Sequence, residues 1–342
     1  MGTRLDRVIA WLDDVRRLDV AALCPHLSPE GARGALDAAL ESLGPDDIVR
    51  AVDRPGRPFP HAVMVVARTV FTAPIEWAAV LLTRGTSLAL KPSSDDRGFA
   101  DALVAAAEAH GLPLSATDDR AVIRDAPLVI AMGSDATVRA IGTEVAPGTR
   151  YLGFGHRFGA AFLTTADGFA ALGPDLALHD GLGCMSPAAV FTDWSPDDAL
   201  DALATSWRDI NERLPAGPLA GAAAARIRER EALARVLGRT ARGPGWSVHA
   251  LPVARFTPAA LPRSVVLHAA VPRDDVARLL RDHAATLSTF ATDDPALAIP
   301  EGARRCRPGE MQRPPLDRLH DGVDWLSATQ DHRDPAGEGT NG

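Results

Sequence analysis

Apolar and polar positions change period along this chain, with helical spacing giving way to short β-rich runs and returning. Leu5, Val8, Ile9, Leu12 and Val15 recur at three and four residues, which predicts an amphipathic helix packed on the body of the protein. Ser28-Pro29-Glu30 reads as an N-cap followed by proline at the first helical position, and the helix it opens is expected to stop at Gly44-Pro45. After a proline-rich turn over 54–60, residues 61–67 form a strand candidate. A short helix from Pro74 follows, then a strand over 87–90 that runs into Lys91-Pro92-Ser93-Ser94. Residues 101–110 have a helical pattern ending at Gly111, and a third strand over 127–132 delivers Gly133-Ser134-Asp135 to another helix start. This strand–helix–strand rhythm predicts an α/β fold, a parallel sheet wrapped by helices.

The second half opens with short strands over 150–154 and 160–165 around a Gly155-His156-Arg157 turn. A helical pattern over 167–178 leads into His179-Asp180-Gly181-Leu182-Gly183-Cys184. A long Ala/Arg-rich helix is expected over 219–237, and strands over 246–253, 264–271 and 287–291 flank a helix over 273–283. The last dozen residues, 331–342, are polar and glycine-rich and read as a disordered end. At 342 residues the chain exceeds the size at which one core keeps growing, so two domains are expected.

Composition narrows the function classes. The 46% hydrophobic content is enough for a substantial core. A net charge of −8 without a basic stripe argues against a nucleic-acid partner, since phosphate neutralisation needs clustered basic residues. The longest apolar runs, 62–67 and 265–271, are far shorter than a membrane span. Asp and Arg interrupt every apolar run of the N-terminus, which is no signal peptide. Three widely separated cysteines, Cys24, Cys184 and Cys306, give neither a disulfide framework nor metal-ligand spacing, and they suit a reducing, cytoplasmic setting.

Four places could carry chemistry. The chain has 35 arginines and one lysine, Lys91. A lysine kept where arginine is the default fits a need for a compact ammonium, and the end of a parallel strand is where it could hold a nucleotide phosphate or ribose. The alternative is a solvated loop lysine. Gly133-Ser134 lies between strand and helix, where backbone N–H groups and the helix dipole suit a phosphate, although strand–Gly–helix turns are common. No Gly-x-Gly-x-x-Gly or Walker-type loop is present. Cys184 sits in Gly-Leu-Gly-Cys-Met-Ser-Pro, a glycine-rich turn that could place both a nucleophile and an oxyanion-binding amide, or a small buried hydrophobe. His179, five residues earlier, is a candidate base. A basic cluster of Arg304, Arg305 and Arg307 reads as a solvated loop face or as a docking patch for an acidic carrier protein.

The order strand–Lys-Pro-Ser, strand–Gly-Ser, Gly-x-Gly-Cys resembles the aldehyde dehydrogenase superfamily, and within it the acyl-CoA reductase branch that serves bacterial luciferase. The matching segments are Val70-Phe71-Thr72-Ala73-Pro74-Ile75-Glu76-Trp77, Leu88-Ala89-Leu90-Lys91-Pro92-Ser93, Met132-Gly133-Ser134-Asp135-Ala136-Thr137-Val138, Phe154-Gly155-His156-Arg157 and Gly183-Cys184-Met185-Ser186-Pro187. Toward the C-terminus, Pro308-Gly309-Glu310-Met311-Gln312, Pro314-Pro315-Leu316-Asp317 and Asp321-Gly322 also fit. The resemblance implies a Rossmann-type parallel-sheet cofactor domain over 1–157, an α/β catalytic cysteine domain over 158–305 and a C-terminal segment over 306–342. It implies that Lys91, Ser93 and Ser94 lie at the cofactor ribose and phosphate, that Gly133 and Ser134 lie against the dinucleotide, and that Cys184 forms an acyl-enzyme thioester. His156 and His179 are the proton-transfer candidates.

The departures sharpen the expectation. Where hydrolytic relatives carry a glutamate base, this chain reads Gly155-His156-Arg157, which favours thiol exchange and reduction of an acyl thioester, small-molecule or carrier-bound, over hydrolysis. Ser94 stands where NAD-preferring relatives carry a glutamate, which favours NADP(H), with Asp95 and Asp96 opposing. The relatives' oxyanion-hole asparagine has no counterpart in Arg68-Thr69-Val70-Phe71. The Cys184 thiolate needs a pKa below the free value of about 8.5, expected from backbone amides and from the cofactor's positive nicotinamide in its oxidised state. Two other readings stay open: an oxidative aldehyde dehydrogenase, and an inactive relative serving as a scaffold. A homodimer is also left open, since the missing length falls before Val70.

Overall fold

The computed structural model describes residues 2–67, 69–93, 97–253, 256 and 260–331. The N-terminal helix Arg4–Arg16 forms as its spacing predicts, closed by a capping box in which Thr3 and Asp6 satisfy each other's backbone N–H groups. Its buried stripe is Val8, Trp11, Leu12 and Val15, and the indole of Trp11 donates to the carbonyl of Leu103. The helix capped by Ser28 runs Pro29–Leu40 and ends before Gly44, which instead opens a separate helix, Pro45–Val52.

Strand β1 (Arg57–Pro58) leads into β2 (His61–Val65), β3 (Ser87–Lys91), β4 (Leu114–Ala116), β5 (Leu128–Met132) and β6 (Arg150–Phe154). The last five make an all-parallel sheet of order β4-β3-β2-β5-β6. The chain therefore builds outward from β2 first on one side and then on the other, so the order reverses between β2 and β5. A crevice opens outside the strand carboxyl ends at such a switch point. Helices Ala73–Arg84, Gly98–Ala109 and Asp135–Gly142 connect these strands. β5, Leu-Val-Ile-Ala-Met, is buried at every position, as a central strand covered on both faces must be.

A second, seven-stranded sheet uses β7 (Phe158–Phe162), β8 (Pro187–Phe191), β9 (Arg239–Gly243), β10 (Trp246–Ala250), β11 (Ser264–His268), β12 (Leu287–Thr292) and β13 (Arg304–Cys306) in the order β13-β12-β7-β8-β11-β10-β9. It is parallel except for β9, which pairs antiparallel with β10. The pattern over 167–178 resolves into two short helices, Ala166–Ala171 and Gly173–Ala177, and the Ala/Arg-rich helix spans Gly221–Leu237. The helix Pro196–Arg213, capped by Ser195, packs on this sheet through Leu200, Leu203 and Trp207. The sequence pattern did not single it out, although Ser195-Pro196-Asp197-Asp198 is a helix-start signature. From β13 the chain returns to the first sheet, where β14 (Gln330–Asp331) pairs antiparallel with β1. Among the described residues no helix is long and apolar enough to cross a membrane. Of the expected disordered end, 332–342 lie outside the described residues.

Candidate active site

The chain between Leu178 and Gly181 turns through three successive left-handed residues, His179 (φ 53°), Asp180 (φ 51°) and Gly181 (φ 69°). Left-handed backbone is unfavourable for the first two, so surrounding bonds must hold it. Buried Arg263 does so. Its Nε donates to Asp180 Oδ1 at 2.7 Å, its backbone N–H donates to the Asp180 carbonyl at 2.8 Å, and its Nη groups reach the carbonyls of Leu214 and Pro215. Beyond the turn, Ser186 N–H donates back to the Gly183 carbonyl, and the amide of Gln312 donates to Ser186 Oγ at 2.9 Å. A Cβ at Gly159 on β7 would stand 2.5 Å from the Met185 carbonyl oxygen, so only glycine lets the strand approach the Cys184 loop this closely.

Cys184 thereby borders a cavity of about 450 Å³. The same cavity is lined by Gly133 and Ser134 after β5, by Gly155, His156 and Arg157 after β6, and by Glu76, Arg318, His320 and Asp321. The fold thus brings Cys184, His179, His156, Gly133 and Ser134 together, though they are spread over 52 positions. Ser134 caps the helix Asp135–Gly142 by accepting from Thr137 N–H at 3.1 Å, and the His156 backbone N–H donates to Asp135 Oδ1 at 2.7 Å. Lys91 ends β3, two strands from β5 on the same carboxyl edge, and does not line this cavity. Ser93 lines a separate small crevice that shares Ala67 with it. Ser94 lies outside the described residues, as do Arg68, Asp95 and Asp96.

Three expectations need correction. Taken together, the chain's own groups raise the Cys184 thiol rather than lower it. Burial and then the charge of Asp321 push it up to about 12, with Arg318 opposing and Glu76 adding to the rise. His179 is a weak base for that proton, because burial and then neighbouring His26 disfavour its protonated form and push its pKa down to about 4. It stands edge-on to Phe71, ring centroids 6.0 Å apart, as a neutral imidazole. Finally, Arg304 and Arg305 are not on a loop, although Arg305 and Arg307 are exposed as a solvated face requires. Arg304 and Arg305 belong to β13, and their guanidinium groups bond the carbonyls of Met311, Asp294 and Leu297.

Sequence reasoning missed the charged cluster beside Cys184. Glu76, on the helix Ala73–Arg84, accepts two hydrogen bonds from Arg318, at 2.7 and 2.8 Å. Burial alone would raise this carboxyl, but the charge and hydrogen bonds of Arg318, with His320, hold it below the usual carboxylate value. His320 lies against Phe154 and Trp77, and burial with Arg318 lowers its pKa. Asp321, in a left-handed conformation at φ 49°, accepts from Ser288 Oγ at 2.8 Å and lies 3.8 Å from Arg157. The available signal was a lone glutamate in the otherwise apolar stretch Pro74-Ile75-Glu76-Trp77-Ala78-Ala79-Val80. Among the described residues no group of three or more His, Cys, Asp or Glu could hold a metal ion.

Solved structures share this architecture at low identity. An NAD-dependent aldehyde dehydrogenase from Sinorhizobium meliloti matches with a TM-score of 0.66 at 16% identity, covering 89% of this chain and 74% of its own. An oxidoreductase from Marinobacter aquaeolei matches with a TM-score of 0.72 at 14% identity, covering 95% and 84%. A succinate-semialdehyde dehydrogenase from Burkholderia pseudomallei gives 0.65 at 18%, covering 87% and 74%. A comparison with curated protein sequences found no match. The fold is aldehyde-dehydrogenase-like, and the family model described as acyl-CoA reductase (LuxC) matches residues 63–329. This chain belongs to that acyl-CoA reductase family, whose members are oxidoreductases acting on acyl and aldehyde groups.

Proposed function

We propose that this protein reduces an acyl thioester to an aldehyde with NADPH, through an acyl-enzyme on Cys184. The observation that carries the reading is a single cavity bordered both by Cys184 and by the Gly133-Ser134 turn at the switch point of the parallel sheet. The turn fits a dinucleotide. Gly133, Ser134 and Gly155 border the cavity at the ends of β5 and β6 without a long side chain, and the first turn of the helix Asp135–Gly142 adds its positive dipole end. In this reading Gly133 and Ser134 hold the phosphates, and Lys91, Ser93 and Ser94 hold the adenine-side ribose. The absence of a carboxylate at Ser94 favours NADPH. Residues 1–157 form the dinucleotide domain and 158–305 the cysteine domain.

When bound, the reduced nicotinamide supplies hydride. The chain supplies the rest. Cys184 Sγ, as thiolate, bonds the acyl carbon while the carbon–sulfur bond to the departing thiol breaks, and that thiol leaves with the proton taken from Cys184. Collapse of the resulting thiohemiacetal after reduction breaks the Sγ–carbon bond and frees the aldehyde. Arg318 is the cation that lowers the Cys184 thiol, and Glu76 restrains it. His156 is the proton-transfer candidate at the cavity wall. Among the described residues that line the cavity, both carboxylates are engaged, Glu76 by Arg318 and Asp321 by Ser288. That supports thiol exchange over hydrolysis.

The test is NADPH absorbance decay with a panel of acyl-CoAs, wild type beside Cys184→Ala, with the aldehyde trapped. Consumption by wild type alone is the expected outcome. Decay that persists in Cys184→Ala refutes the nucleophile, and NADPH binding without turnover of any acyl-CoA or carrier-bound thioester selects the scaffold reading.

A further inference from the structure

The cavity has a wall that the family match does not cover. Residues 63–329 match the family model, whereas Ala35, Ala39 and Ser42, which also line the cavity, precede that segment. They fall at i, i+4 and i+7, so they share one face of the helix Pro29–Leu40 and the turn just after it. That face spans about 10 Å along the helix axis. It is held firmly against the catalytic loop: a Cβ at Gly34 would stand 3.2 Å from both Leu178 and Leu214. The far end of the helix is tied to the segment carrying Gln312 and Pro314 by the Glu41–Arg313 ion pair at 2.5 Å. The charged lining of the cavity comes from Glu76, Arg157, Arg318, His320 and Asp321. This face instead contributes the methyl of Ala39 and the hydroxymethyl of Ser42, with Ala35 buried at 1% exposure, and apolar Leu182 and Met185 line the same cavity.

We propose that the Ala35–Ala39–Ser42 face is the wall against which the acyl chain of the substrate lies, and that its small side chains set the longest unbranched aliphatic chain the site accepts. The proposal rests on the acyl-thioester reading above. Small side chains leave the space free for the tail; enlarging any of them fills it. A single methylene in a hydrophobic pocket changes discrimination by about 10–200-fold, so a leucine at position 39 or 42 is expected to act strongly.

The experiment compares wild type, Ala39→Leu and Ser42→Leu, the latter at a half-buried position outside the helix that tolerates a larger side chain more easily. Two profiles are measured for each protein whose melting curve remains cooperative. One is kcat/KM for straight-chain acyl-CoAs from two to fourteen carbons. The other is the rate at which straight-chain alkyl methanethiosulfonates, methyl to decyl, modify Cys184, read by intact mass with Cys184→Ser as the blank. The second profile needs no thioester chemistry. The expected result is a fall of at least ten-fold in the long-to-short ratio in both profiles for either variant. Folded variants with the wild-type chain-length dependence of labelling overturn the wall. If wild type reduces neither an acyl-CoA nor a carrier-bound thioester, the acyl-thioester reading fails, and the labelling profile still decides whether this face receives an aliphatic chain.

Discussion

Replacing Glu76 with glutamine removes one charge from the cavity while keeping the shape of the side chain and one acceptor for Arg318. In the native protein the pair is bidentate, with both side chains mostly buried, at 16% and 8% exposure. Taking one partner from such a pair leaves the other charge without compensation, which costs about 3–5 kcal/mol. At roughly 2 °C per kcal/mol, the lower end for chains of this size, Tm falls by about 6–10 °C. The second consequence is specific to the site. Burial, Asp321 and Glu76 raise the Cys184 thiol and Arg318 lowers it, so removing the Glu76 carboxylate takes away one of the two charges that oppose Arg318. The thiol then moves down from about 12, with burial and Asp321 still holding it above the free value. Alkylation of Cys184 by iodoacetamide between pH 7 and 10, read by intact mass, reports the thiolate fraction directly. Wild type is expected to react slowly, with a rate still climbing tenfold per pH unit at pH 10. Glu76→Gln is expected to react faster at every pH and to level off earlier. A folded variant with unchanged or slower alkylation would falsify the claim that this pair sets the charge balance at Cys184.

Three further outcomes follow from the geometry. Burial holds His179, His249 and His268 at about 4, below the ordinary histidine value of 6.5, so each favours the folded state fully above 6.5 and loses that contribution as pH falls toward 4. At on the order of 3 kcal/mol per group, thermal melts should show steep destabilisation between pH 6.5 and 4, and a flat profile there contradicts the burial argument. Arg263→Met strips the Asp180 carboxylate and two carbonyls of their donor, and should lower stability by about 3–5 kcal/mol in urea unfolding while disordering the left-handed turn before Cys184. Gly159→Ala sets a Cβ against the carbonyls of Met185 and Ser186, both backbone atoms, and should abolish Cys184-dependent turnover in a protein that still binds NADPH; full activity would show that the loop yields freely.

How far the chain could be read in advance depended on whether a feature is local. The helix Arg4–Arg16, the strands β2, β3, β5 and β6 and the Ser134 cap follow from periodicity and capping chemistry within a dozen residues, and they appear where that chemistry places them. Lys91 and Gly133-Ser134 stand at the carboxyl ends of β3 and β5, where the strand pattern of the sequence put them. The helix Pro196–Arg213 carried its own start signal and was simply not read.

The charged cluster could not be read this way, because its members meet only through the fold. Glu76 and Arg318 are 242 positions apart, and nothing near either one in the chain announces the other. The same holds for Ala35 and Ala39, which look like ordinary helix filler until the helix is packed beside Leu178. By itself the sequence determined which segments are helices and strands and which residue types could do chemistry, since those depend on backbone preferences and side-chain identity. Only the tertiary structure decided the state of those groups, because the pKa of Cys184, the neutrality of His179 and the shape of the cavity are set by burial and by charges that the fold brings within a few ångströms.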